Sequence, residues 1–165
     1  MSETAQQYTK RILSYSDGIE PLQQQESTPQ KLAELLSGKD KGVLRHRPSP
    51  DKWSVAEVVA HFADAEIAMS WRIRQILTKN GLPIQAYDQN AWASTFDYAD
   101  RDPDISLDLF RALRAANVAL LKSVPRELWD NYGVHEERGN ESIAHIIRMV
   151  AGHDLNHLRQ IEAIV

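Results

Sequence analysis

The chain has 165 residues, 19 basic against 23 acidic, a formal charge of −4 and no cysteine. This balance lacks the basic footprint of a nucleic-acid binder and rules out disulfides, thiolate ligands and a cysteine nucleophile, so any metal must be held by nitrogen and oxygen. No apolar leader and no run of membrane-spanning length is seen, which makes one soluble cytoplasmic domain over residues 1–165 the expectation.

Residues 4–16 read as a short helix of modest amphipathicity, and Gly18 and Pro21 interrupt the segment after it. Thr28-Pro29 reads as the next helix start, with threonine as cap and proline in the first turn, where its missing N–H costs nothing. Leu32, Leu35 and Leu36 give that helix its apolar face, and Gly38 ends it. A polar connection containing His46, Arg47, Pro48 and Pro50 leads to Trp53-Ser54. Ser54 and Glu57 have the spacing of a capping box. From there Val58, Val59, Phe62, Ala65, Met69, Ile73 and Ile76 mark the buried stripe of a long helix. His61 flanks this stripe beside Ala65 and Ala68, where it has room to line a pocket or hold a ligand; alone it carries little weight. Asp64 falls on the polar side. Arg72 shares the face of His61 three turns further on. It reads either as a hold on an anionic substrate tail or, more plainly, as a paired residue at the bundle end, and it is not placed in the site.

Residues 82–104 show no sustained periodicity but contain Tyr87, Trp92, Phe96 and Tyr98, too many aromatics for a disordered linker. They read as a folded crossover across one end of the protein, or simply as a lid on its core. The next stripe is Leu109, Phe110, Leu113, Leu120, Leu121 and Val124, with Asn117 on it and in need of partners. His135, Glu136 and Glu137 lie in a turn-rich segment, Tyr132–Asn140, and read as solvated. In the last stretch Ile143, Ile146, Ile147, Val150, Leu158, Ile161 and Ile164 recur at spacings of three and four, and His153 and His157 share their face. Residues four apart on a helix sit one turn from each other, so the two rings can converge on one point. A pair of hydrogen-bonded core histidines and a metal site with Asp154 and Gln160 as orienting groups both remain open on these residues alone.

Four long helices, over 28–38, 54–79, 106–124 and 142–164, with no convincing strand signal, predict an all-α four-helix bundle. The long connection between the second and third permits a crossover. If the second and fourth helices face each other, His61, His153 and His157 can offer three imidazoles to one divalent ion and leave a further position open. Imidazole suits zinc, nickel, copper and iron. His46, His135 and His145 are expected not to ligate, and His145 to lie largely outside the core.

KWSVAEVVAHFADAE (Lys52–Glu66) and, far downstream, AGHDLNHLRQI (Ala151–Ile161) together resemble the DinB-like superfamily, with its YfiT-type members. YDQNAWA (Tyr87–Ala93) and FRALRAANVALL (Phe110–Leu121) extend the likeness over nearly the whole chain. The pairing of W-S-x-x-E-x-x-x-H with H-D-x-x-H carries its specificity. The resemblance implies a bundle of down-up-up-down type, often a homodimer, and one zinc or nickel ion on three histidines that match His61, His153 and His157. It also implies a small-molecule substrate, in some relatives a low-molecular-weight thiol. A metal-dependent hydrolase or thiol S-transferase is therefore expected, with a non-catalytic metal-binding stress-response or interaction module as the alternative.

Overall fold

The computed structural model describes residues 3–165. A short helix, α1 (Ala5–Tyr15), precedes α2 (Pro21–Leu36), the single-turn α3 (Lys41–Arg45) and the long α4 (Val55–Thr78). After β1 (Leu82–Ile84) come α5 (Gln89–Thr95) and α6 (Pro103–Ser123), then a 3-10 turn (Arg126–Asp130), the hairpin β2 (Tyr132–His135) and β3 (Gly139–Ser142), and α7 (Ile143–Glu162).

The helix starts obey local chemistry. At α4 the Ser54 side chain accepts from the Glu57 N–H while the Glu57 carboxylate accepts from the Ser54 N–H, so each fills an otherwise orphan donor. Arg47 forms an ion pair with the same carboxylate. Ser142 caps α7 by accepting from the His145 N–H.

Helix α2 differs from its sequence reading. It begins at Pro21 under a Glu20 cap and carries Pro29 in its interior. Proline there removes the donor that would reach the Gln25 carbonyl one turn earlier, normally a strong reason to end a helix. The vacated carbonyl instead accepts from Arg114 Nη1 of α6 at 3.1 Å. Thr28 is not a cap; its buried hydroxyl lies 2.8 Å from Asp154 Oδ2 of α7. Long-range partners thus offset what local propensity opposes.

The strands are a second departure. β1 pairs parallel with β2, Leu82 opposite Gly133, and β2 pairs antiparallel with β3, Gly133 opposite Glu141. Three- and four-residue strands are too short to show alternation. Gly133 is required where they meet, because a Cβ there would lie 2.3 Å from Ile84 Cγ1. The crossover of residues 82–104 thus holds a strand, a short helix and the buried Tyr98.

The four long helices are α2, α4, α6 and α7. Along α4 and α6 the partners rise together: Phe62 meets Phe110, Glu66 meets Arg114 and Arg74 meets Asn117, so these helices run parallel. Along α2 and α7 Gln25 meets Ile147 and Thr28 meets Asp154, again parallel. α2 opposes α6, since Gln25 meets Arg114 while Glu26 reaches Lys122 and Leu32 and Leu36 pack with Leu107 and Phe110. The order is therefore down-up-up-down, as the resemblance implies, and the parallel α4–α6 pair explains the long crossover.

The core is divided. One apolar cluster unites Leu32, Val55, Val58, Phe62, Phe110, Leu158 and Ile161; the other unites Leu22, Ile73, Ile76, Leu121, Ile143 and Ile147. Between them lies a layer of buried polar side chains: Gln25, Thr28, His61, Glu66, Arg114, Asn117 and Asp154. Outside the bundle, α1 packs on α7 at Gly152, where a Cβ would stand 2.0 Å from the Ile12 carbonyl oxygen. Among the described residues, no helix is long and apolar enough to cross a membrane.

Candidate metal centre

His61 projects from the first half of α4, and His153 and His157 from successive turns of α7. Nε2 of His61 lies 2.9 Å from Nε2 of His153. The His61 and His157 rings are 5.0 Å apart and those of His153 and His157 4.4 Å. One ring nitrogen from each histidine falls within 4.8 Å of the others, and among the described residues no carboxylate joins the cluster. Phe62 sets its ring edgewise against His153 and His157, and Trp53 covers His61 at 5.2 Å.

Burial is the main force on the imidazoles. It pushes His61 and His153 well below their ordinary pKa, with the neighbouring His157 adding to the effect. Burial likewise brings His157 down to about 4, against the opposing hydrogen bond to Gln160. All three are neutral at pH 7 and present lone pairs, the state a transition metal requires. Gln160 Oε1 sits 2.8 Å from Nδ1 of His157. An amide oxygen only accepts, so Nδ1 carries the proton and Nε2 is left with its lone pair. Nδ1 of His61 is buried without a hydrogen-bond partner among the described residues. Three converging neutral nitrogens with an open side suit a divalent transition ion such as zinc.

Asp154 does not orient an imidazole, contrary to the sequence expectation. One residue along a helix turns the side chain by about 100°, and Asp154 faces α2 and α6. There it meets both terminal nitrogens of Arg114 and the Thr28 hydroxyl. Arg114 Nη2 also reaches Glu66 Oε2 at 2.9 Å, and Asn117 Nδ2 donates to Glu66 Oε1 at 2.8 Å. Asn117 is completed by Ser70 and Arg74, so it belongs to this network and not to the histidines. The sequence carried a signal for it: Arg114 and Asn117 come after Phe110 at helical spacing, which places a charge on the inner stripe.

Three further expectations change. Asp64 is buried, not on a polar face, and accepts from Tyr98 Oη at 2.8 Å and Arg101 Nη1 at 2.7 Å. His135 is also buried, because β2 turns it inward, while Glu136 and Glu137 are exposed as expected. His145 is half-buried, since the hairpin covers the start of α7 near Glu141. None of His46, His135 and His145 joins the cluster, and His46 is exposed.

A cavity of about 460 Å³ opens from His61 and His153. It runs past Ala65, Met69 and Val150 to Arg72, Tyr87 and His135, and its volume suits a small molecule.

Comparison with known proteins places this geometry. A protein of Oceanobacillus iheyensis, named as a candidate metal-dependent hydrolase, is 30% identical over 112 residues, 68% of this chain and 64% of that protein. A second from the same organism and with the same designation is 26% identical over 91% of this chain and 86% of that protein. Among solved structures, YfiT from Bacillus subtilis, described as having an unusual four-helix bundle topology, superposes with a TM-score of 0.81 at 24% identity over 99% of this chain and 88% of that one. The mycothiol-dependent maleylpyruvate isomerase shares the fold at a TM-score of 0.63 and 14% identity, over 82% of this chain and 58% of that one. The model of the DinB superfamily matches residues 24–161. This match, over most of the chain, shows that the chain belongs to the DinB superfamily.

Proposed function

We propose that this protein is a metal-dependent hydrolase of a small molecule, with His61, His153 and His157 as ligands of one divalent ion, zinc or nickel. The observation that carries the reading is the convergence of three neutral imidazoles at the inner end of a cavity. A divalent ion held there supplies a Lewis acid that polarises a substrate oxygen and makes a bound water or thiol more acidic. The chain supplies the rest. Gln160 fixes the tautomer of His157. Phe62 and Trp53 shield the imidazoles from bulk water, which strengthens electrostatic interactions with a bound substrate. The Arg114 network clamps α4, α6 and α7 together next to the ligands.

A second reading, transfer of a low-molecular-weight thiol, has one observation in its favour. Glu66, which lines the cavity near the histidines, has its oxygens engaged by Arg114 and Asn117 and is a poor free base. Ion-assisted deprotonation of a thiol needs no such base.

Elemental analysis of the purified protein tests the shared premise. One zinc or nickel ion per chain is expected, absent from His153→Ala. A protein that takes up no transition metal even on reconstitution would sink both readings. Thermal-shift and turnover screens against esters, amides and small thiols then separate hydrolase from transferase.

A further inference from the structure

The end of the cavity remote from the histidines has a chemistry of its own. Arg72 is 8% exposed and makes no ion pair among the described residues. Its Nη2 donates to the Gln85 carbonyl at 2.6 Å and its Cζ stands 5.7 Å from the Tyr87 ring centroid. A guanidinium has five N–H donors, so most of this one is unused, and it stays charged under all working conditions. Burial is the main influence lowering the pKa of Arg72, with Arg138 adding to it and Glu141 and Tyr87 opposing it.

The surrounding charges leave that cation unanswered. Arg138 and Glu141 pair with each other at 2.6 Å. Glu3 at the rim is taken by Arg11 at 2.8 Å. Glu137 also lines the cavity but is exposed. His135 is neutral at pH 7, chiefly through burial. Glu66 pairs with Arg114. Arg72 is therefore a buried cation without an ion-pair partner among the described residues, a match for one negative charge.

Position links it to the histidines. Eleven residues along α4 separate Arg72 from His61, about three turns and 16 Å of rise on one face. Helical side chains lean towards the N-terminus, which tilts Arg72 back towards His61. Ala65, Met69, Ile146, Met149 and Val150 line much of the space between, and the charged Glu66 and Arg114 that also line the cavity are paired with each other. The stretch between the two ends is thus largely apolar.

We propose that the substrate is a carboxylate, its anionic group held by Arg72 and its reactive bond carried to the histidine end by an apolar spacer. This deepens the hydrolase reading and rests on it for the identity of the reactive end. The carboxylate site itself stands without that reading.

Calorimetric titration of the full chain, both metal-loaded and chelator-treated, with hexanoate and with neutral hexanamide tests it. The chelated sample matters because a carboxylate can ligate the ion. Hexanoate is expected to bind both samples at least about 10-fold more tightly than hexanamide, the scale of a charge-assisted hydrogen bond. Arg72→Gln should lose that preference with metal content unchanged, and Arg72→Lys should keep part of it. Equal binding of the two probes, no hexanoate binding by the chelated wild type, or undiminished preference in Arg72→Gln would overturn the proposal. Should Arg72→Gln not fold, the wild-type preference and Arg72→Lys decide. Failure of the hydrolase reading shows separately, as absence of metal from the wild type.

Discussion

His153 and Asp154 are neighbours in the chain and face two different interiors. Asp154 enters a network in which its carboxylate meets Arg114 and Thr28, and Arg114 meets Glu66 and Gln25 as well. His153 enters a cluster where ring nitrogens face one another and, among the described residues, two of the three histidines have no other side-chain hydrogen-bond partner. Both join α4 to α7; the Arg114 network is fully buried, whereas His153 and His157 are only partly so. In the first region Arg114 meets two carboxylates, and although its Nε lacks a partner among the described residues, the paired charges make a fitting structural device. The second gathers three imidazoles whose polar contacts among the described residues are limited to one another and to Gln160, which makes it the candidate for holding a ligand. What distinguishes the two is charge pairing: ion pairs fill the Arg114 region, and among the described residues no carboxylate enters the histidine cluster.

Acid should separate the two regions most strongly. Burial holds His157 from its ordinary 6.5 down to about 4, and His61 and His153 lower than their ordinary value as well. A histidine with a depressed folded pKa leaves the unfolded chain binding more protons. Stability of the metal-free protein is therefore full above pH 6.5 and falls as pH drops from 6.5 towards 4, by about 3 kcal/mol from His157 alone. Urea midpoints across that range check this; a flat profile would mean the imidazoles are not held neutral.

Arg114→Ala attacks the other region. It leaves Glu66 and Asp154 buried without their cation and the Gln25 carbonyl without its donor. The expected loss is about 3–5 kcal/mol, read from a chemical denaturation curve. A loss below about 1 kcal/mol, the value of an ordinary surface pair, would show that the network is dispensable.

Gln160→Ala removes the side-chain acceptor on His157. Metal affinity should fall by about 10–100-fold with the melting curve of the metal-free chain nearly unchanged. Competition with a chromophoric chelator measures it, and unaltered affinity would detach Gln160 from the site.

The smallest effect has the opposite sign. His61→Leu exchanges an imidazole with an unpartnered buried Nδ1 for an apolar side chain. The metal-free protein should gain about 1 kcal/mol while losing the metal. A destabilised variant would show that His61 is a structural core residue after all.

Much of this was legible in the sequence because it is local or periodic. The Ser54–Glu57 box, the stripes of α4 and α7 and the i, i+4 histidines are read within one or two turns. The three histidines came together because two stripes had to face one core. What escaped depends on distant partners. Pro29 reads as a start until Arg114 supplies a donor to Gln25. Asp64 reads as exposed until Tyr98 and Arg101 fold over it from the crossover. Asp154 reads as the companion of its neighbouring histidine, and only the approach of α2 and α6 shows that it turns away. The strands escaped because their pairing joins β1 to β2 across the whole of α6.

Gly152 joins α1 to the helix of two histidines by close backbone packing. Thr4, Ala5 and Tyr8 of the α1 region wall the cavity, and α1 reaches α7 by backbone contact one residue before His153. Any side chain at 152 would drive α1 outward and press back on the helix that carries His153 and His157. One wall of the cavity and the helix that carries two of the imidazoles therefore meet at a single glycine, where a side chain has no room.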